Sequence, residues 1–139
     1  MSKTQHYRDQ HQELTAMVGQ LQIFLDPGNL AKDASEPRHL LSLFAAKLNM
    51  HLALEDKALY PQLLKHKDSA VQAKAKRFMD EMGSIKEAFG AYMGKYPSAQ
   101  AIQAAPAAFI TDSNGLIKVL AKRIHSEDSD LYALVDQIG

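Results

Sequence analysis

One ten-residue phrase occurs twice in this chain, as His51-Leu-Ala-Leu-Glu55-Asp56-Lys-Ala-Leu59-Tyr60 and as Arg123-Ile-His-Ser-Glu127-Asp128-Ser-Asp-Leu131-Tyr132, 72 residues apart. A His four residues before a Glu on a helix sets an imidazole and a carboxylate side by side on one face. That pair suits a divalent or trivalent metal held inside a helical bundle, where facing helices supply the ligands. The second copy has Arg123 where the first has His51, and a guanidinium cannot ligate a metal at ordinary pH. The difference decides whether such a bundle holds two metals, one or none.

The rest of the chain reads as helix, with no sustained β-branched alternation. Helix 1 is expected over about Thr4–Leu25, stopped by Asp26-Pro27-Gly28. Helix 2 is expected to open with Ser35 as N-cap and Glu36 and Pro37 in its first turn, and to run to about His66. Pro61 predicts a kinked last turn or a break near Tyr60. Helix 3 follows Asp68-Ser69 and runs to about Lys95, a short helical turn follows Ser98, and helix 4 runs from near Pro106 to Gln137, with Gly115 a modest blemish. In a chain of 139 residues this predicts an all-α fold, an antiparallel up-and-down four-helix bundle formed as one domain over residues 1–139.

The repeat extends to the other two helices. His11-x-x-Leu14-x-x-x-Val18-x-x-Leu21 on helix 1 aligns with Met82-x-x-Ile85-x-x-x-Phe89-x-x-Tyr92 on helix 3, at an offset of 71. The bundle therefore reads as two related hairpins, the first supplying His11, His51 and Glu55, the second Met82, Arg123 and Glu127 at equivalent positions.

Helical phase says which of these face inward. The stripe of helix 4 holds Leu116, Leu120, Ile124, Leu131 and Ile138. Glu127 lies within about 30° of its centre and Arg123 about 70° away, at the edge. His51 and Glu55 travel with Leu41, Phe44, Leu48 and Leu59, and His11 borders the stripe of Leu14, Val18, Leu21 and Leu25. His6, His39, His66 and His125 read as surface residues. Each member has an ordinary explanation alone: Met82 as core, His11 as a hydrogen-bonded boundary residue, His51 with Glu55 as a partly exposed pair. Glu55, Glu127 and Arg123 can also form a buried ion-pair cluster without metal. Together, two histidines and two glutamates on inward faces call for a common cation, because buried carboxylates are costly unless paired.

Composition removes whole classes of function. Lys+Arg and Asp+Glu balance at 16 each, so there is no electrostatic case for nucleic acid or an anionic membrane. Cysteine is absent, which removes thiolate catalysis, Cys-zinc sites and disulfides. The first thirty residues are too polar for a signal peptide, and no apolar run approaches the roughly 20 residues of a membrane span. The expectation is a soluble, cytoplasmic protein. No nucleophile–base pair or Gly-rich phosphate loop points to an enzyme.

His11 in its His-x-x-Leu context, His51-x-x-x-Glu55-Asp56-x-x-Leu59-Tyr60-Pro61 and Glu127-Asp128-x-x-Leu131-Tyr132 resemble the hemerythrin-like (HHE cation-binding) domains over nearly the whole chain. The resemblance implies a four-helix bundle with a non-haem diiron centre. One iron would be bound by His11 and His51, with Glu55 and Glu127 bridging to the other. Met82 and Arg123 stand where the second iron needs histidines; a thioether suits a hard iron centre poorly and a guanidinium repels it. The expectation is a mononuclear site of His11, His51, Glu55 and Glu127 holding iron, with Zn or Mn as substitutes. It implies oxygen, iron or redox sensing or binding, with dioxygen or another small diatomic as ligand. An oxidase-like or peroxide-consuming reaction is a second class. The alternative is a metal-free degenerate bundle serving as a protein-interaction or regulatory module, in which Arg123 neutralises Glu55 and Glu127.

Overall fold

The first helix ends at Ile23, and Asp26 starts the next. Its carboxylate accepts the Asn29 N–H at 2.9 Å, and Pro27 takes the first helical position, where its missing N–H costs nothing. The computed structural model describes residues 3–138. Among them lie α1 (Gln5–Ile23), α2 (Pro27–Lys32), α3 (Ser35–Leu54), α4 (Tyr60–Leu64), α5 (Ser69–Lys95), α6 (Ala99–Ala104), α7 (Pro106–Ser126) and α8 (Tyr132–Ile138), with no strand. Asp68 caps α5 by accepting the Ala70 N–H at 2.9 Å, and Ser98 caps α6 by accepting the Ala101 N–H at 3.2 Å. Ala34, not Ser35, is the N-cap of α3: the Ser35 hydroxyl instead donates to Asp33 at 2.6 Å, so it cannot turn back onto the helix amides.

The fold is an all-α bundle of four long helical stretches: α1, α3 with α4, α5, and α7 with α8. α1 packs on α3, α5 on α4 and α7, and α1 also meets α7. The short α2 and α6 pack on each other and bring Leu30 and Ile102 into the same apolar cluster as Tyr96 and Phe109. Phe109 is fully buried against the edge of Tyr96 at 5.0 Å between ring centroids. Phe109→Ala is expected to cost ~3–5 kcal/mol in chemical denaturation, the usual cost of emptying an aromatic core site. A loss below ~1 kcal/mol would show that this end of the bundle contributes little to stability.

Two chain segments depart from the α-helix. Glu55–Leu59 and Glu127–Leu131 each form a π-helical turn, in which the N–H of Tyr60 reaches back to Glu55 O and that of Tyr132 to Glu127 O, five residues earlier. The break expected from Pro61 therefore precedes Tyr60 as a π turn. Proline is not its cause, since the second copy forms the same turn with Ala133 in that place. What the copies share is Glu-Asp-x-x-Leu-Tyr. In a straight α-helix five residues advance the side chain to roughly 140° from the starting face. A turn that closes on the fifth residue returns Tyr60 and Tyr132 to the faces of Glu55 and Glu127, and both tyrosines are buried. The extra residue also rotates the remainder of the helix, so Ile138, placed on the inner stripe by uninterrupted phase, is 37% exposed.

The interior is divided. One apolar cluster contains Leu14, Leu48, Met82 and Leu120, and another contains Tyr7, Leu59, Phe78 and Leu131. Between them along the chain lie His11 on α1, His51 and Glu55 on α3 and its π turn, and Arg123 and Glu127 on α7 and its π turn, all buried. The bundle thus carries one polar layer between two apolar slabs.

Candidate metal centre

Within that layer His11 Nε2 lies 3.1 Å from His51 Nε2 and 2.8 Å from Glu127 Oε1, and His51 Nε2 lies 3.6 Å from Glu127 Oε1. Ligand atoms of these three residues fall within 4.8 Å of one another. Glu55 stands beside them, with Oε1 at 3.4 Å from His51 Nε2. Of the four residues the sequence nominates, three therefore converge as one group and the fourth borders it. Met82 is buried in the apolar cluster, and Arg123 lies deeper than its edge phase suggests, 6% exposed. His6, His39 and His125 are exposed and His66 is partly so.

The outer hydrogen bonds orient both rings. His11 Nδ1 faces Asp128 Oδ1 at 2.8 Å and His51 Nδ1 faces Gln10 Oε1 at 2.6 Å. Each acceptor takes an Nδ1–H, the tautomer that leaves Nε2 with a lone pair pointing inward. Two such nitrogens and a carboxylate oxygen then face one another with no hydrogen of their own to share. Glu55 Oε1 is likewise buried without a hydrogen-bond partner. Lone pairs meeting at these distances need a cation between them, a proton or a metal ion, so the donor set fits a metal.

Without a metal, protons fill that role. Burial, then the charge of Glu127, pushes Glu55 up to about 8. Burial also works to raise Glu127, but hydrogen bonds with His11 and His51 and the charge of Arg123 outweigh it and hold the group at about 2. Burial opposes protonation of His11, yet its bonds to Glu127 and Asp128 leave its pKa above the ordinary histidine value. The layer accordingly keeps one carboxylate ionised and one protonated, the arrangement expected when two acids share a dry site.

The second half of the layer repeats the first with different chemistry. His51 meets the edge of the Tyr7 ring at 6.0 Å and bonds Gln10. At the equivalent positions Arg123 stacks over Phe78 at 4.7 Å and pairs with Glu81 at 3.7 Å. Arg123 also donates to Glu127 Oε2 at 3.0 Å and to the Tyr60 hydroxyl at 3.1 Å. Glu127 therefore bridges, with one oxygen toward the histidines and the other on a guanidinium. Asp56, the counterpart of Asp128, has no imidazole to orient beside Met82 and pairs with Lys86 at 3.3 Å on the surface.

Sequence reasoning missed Tyr132, Asp128 and Gln10. Tyr132 and Asp128 belong to the repeated phrase, so their recurrence was a signal; Gln10 carried none. A cavity of about 60 Å³ adjoins His11, His51, Arg123 and Glu127, lined otherwise mostly by apolar side chains such as Leu14, Leu48, Met82 and Leu120. It is large enough to admit small molecules such as water. Among the described residues no helix is long and apolar enough to cross a membrane. A family model described as the hemerythrin HHE cation binding domain matches residues 2–135. No curated protein and no solved structure matches the chain.

Proposed function

The chain belongs to the hemerythrin HHE cation-binding family, and on that premise we propose that it holds a single metal ion and serves as a binding or sensing module for iron, oxygen or redox state. The ion is held by His11, His51 and Glu127, with Glu55 as the second carboxylate of the site. One observation carries this reading: two imidazoles, their Nδ1 atoms facing Asp128 and Gln10, turn both Nε2 atoms toward each other and toward Glu127. Iron is the first choice, because a set of imidazole and carboxylate suits Fe(II), and it accepts Zn(II) or Mn(II) as well. Bound there, the metal supplies a Lewis-acidic and, for iron, a redox-active centre.

The chain's own residues set what reaches it. The cavity beside the site is lined mostly by apolar side chains, which supports dioxygen or another small diatomic as the ligand sensed. Arg123 stands where the first hairpin has His51 and gives Glu127 Oε2 a fixed positive partner, so the half-site needs no second ion for charge balance. Arg123 also supports the competing reading, a metal-free ion-pair layer in an interaction module.

Elemental analysis of protein purified without chelator separates the two. The expected result is one metal per chain and a thermal midpoint that falls when the metal is removed, since an ion bound only by the native state adds its binding free energy to stability. A chain without metal, whose melting ignores both chelator and added Fe(II), Zn(II) or Mn(II), returns the function to the ion-pair module.

A further inference from the structure

The Tyr132 hydroxyl meets four side chains of the polar layer. It donates to Glu55 Oε2 at 2.7 Å and lies 3.3 Å from His11 Nε2, 3.4 Å from His51 Nε2 and 3.3 Å from Glu127 Oε1. A phenol has one hydrogen to give, and here Glu55 takes it. Toward the two imidazoles and Glu127 the same oxygen stands within hydrogen-bond distance with no second hydrogen to give. A ring placed only for packing would not stand so; a cation among these atoms would satisfy every contact.

The distances say how that cation sits. His11 Nε2, His51 Nε2, Glu127 Oε1 and Tyr132 Oη are separated pairwise by 3.1, 2.8, 3.6, 3.3, 3.4 and 3.3 Å. Four donors around one tetrahedral ion with bonds of ~2.1 Å stand ~3.4 Å apart. The three-residue group already described thus becomes a closed tetrahedron when Tyr132 is added. Glu55 does not complete it, being engaged as the acceptor of the phenol. The other hairpin gives an independent parallel: Tyr60, the counterpart of Tyr132, turns its oxygen to a cation too, accepting from the Arg123 guanidinium at 3.1 Å. Each π turn therefore returns a tyrosine oxygen to the polar layer, that of Tyr60 onto a positive charge and that of Tyr132 among the candidate metal ligands.

We propose that Tyr132 is a metal ligand of this centre, binding through its phenol oxygen, with Glu55 acting behind it as the hydrogen-bond partner that holds the ring in place. As the metal–oxygen bond forms, the O–H bond breaks and its proton passes along the existing hydrogen bond to Glu55 Oε2, Glu55 having released to solvent the proton it carries in the metal-free layer. This assignment rests on the single-metal reading above, and the test keeps the two apart. Wild-type, Tyr132→Phe and Tyr60→Phe proteins are loaded under argon with one equivalent of Fe(II) and oxidised with ferricyanide. Bound iron is counted by elemental analysis and the samples are examined by visible absorption and resonance Raman spectroscopy.

A phenolate on ferric iron gives an intense visible charge-transfer band with enhanced tyrosine ring vibrations. Wild type and Tyr60→Phe are expected to show it, and Tyr132→Phe to lose at least nine-tenths of it while still binding iron. Iron bound by wild type without tyrosine-enhanced vibrations overturns the Tyr132 assignment and leaves the single-metal reading standing. So does a band that survives in Tyr132→Phe. Failure of wild type to bind either Fe(II) or Zn(II) overturns both. If Tyr132→Phe does not fold, the wild-type vibrational spectrum decides alone.

Discussion

Replacing His11 and His51 together by alanine is expected to abolish metal binding, from one ion per chain to none, while Met82→Ala leaves it at one. Both variants lose stability, but for different reasons, and that makes the comparison informative. Met82 is 6% exposed within the apolar cluster, so its truncation leaves a void costing ~2–5 kcal/mol whether or not metal is present. The double histidine change removes two partners of Glu127, whose Oε1 lies 2.8 Å from His11. A buried carboxylate stripped of such partners costs ~1–3 kcal/mol or more. Midpoints alone therefore cannot separate them; the response to metal can. With free metal at 100 times its dissociation constant, native-state binding adds about 2.7 kcal/mol. Wild type and Met82→Ala should each gain on that scale when metal is added, and the double histidine variant should gain nothing. A Met82→Ala protein that loses the response, or a double variant that keeps it, would move the site away from the first hairpin.

The second large effect concerns the half of the layer that has no imidazole. Changing Met82 and Arg123 both to histidine is expected to raise the stoichiometry from one metal to two. In the iron form, exposure to oxygen should also add the absorption of a coupled pair of irons to the single-iron phenolate band expected of wild type. The surroundings are in place: Asp56, now paired with Lys86 at 3.3 Å, occupies the position from which Asp128 orients His11. Glu127 Oε2, now on Arg123 at 3.0 Å, would become free to ligate. Each single change should behave differently. Arg123→His alone breaks a buried pair with Glu127 and takes the partner from Tyr60, a loss of ~3–5 kcal/mol where no cation replaces the guanidinium. Met82→His alone sets an imidazole near an arginine that already claims the space. Only the pair exchanges one cation for another, so metal should rescue the double variant's stability more than it raises wild type's. A double variant that still binds one ion would mean that backbone or packing, and not these two side chains, closed the second half-site.

Arg123 is the residue in which the proposals meet. It is held by Phe78 and Glu81 in the way that His51 is held by Tyr7 and Gln10. Substitution therefore reached the partners as well as the ligand: an amide that accepts from an imidazole corresponds to a carboxylate that pairs with a guanidinium. A half-site rebuilt to this depth around a fixed positive charge is what a bundle needs if Glu127 is to remain ionised beside a single metal.

Most of the fold and much of the site were legible in the chain itself. Local signals placed the helices closely, because caps and prolines act within a few residues: Asp68 starts α5 and Pro106 starts α7 where the sequence reads them. The repeat and helical phase put His11, His51, Glu55 and Glu127 inside, since a side chain's face follows from its number alone while the helix is regular. Legibility ended where that regularity did. The π turns at Glu55–Leu59 and Glu127–Leu131 arise when the backbone closes on the fifth residue instead of the fourth. Nothing in residue spacing announces that shift, and it moved Tyr60 and Tyr132 into the polar layer and Ile138 out of the core.

The sequence by itself determined an all-α fold, read as two related hairpins, one with inward-facing histidines and one without. Only the tertiary structure decided which groups meet. His11 and Asp128 are 117 residues apart, and Tyr132 and Glu55 are 77 apart. Contacts of that span depend on how whole helices pack, and a ligand atom is placed to a few tenths of an ångström by neighbours on three other helices. Residue type and helical phase limit who can face a metal; the packing of the bundle selects who does.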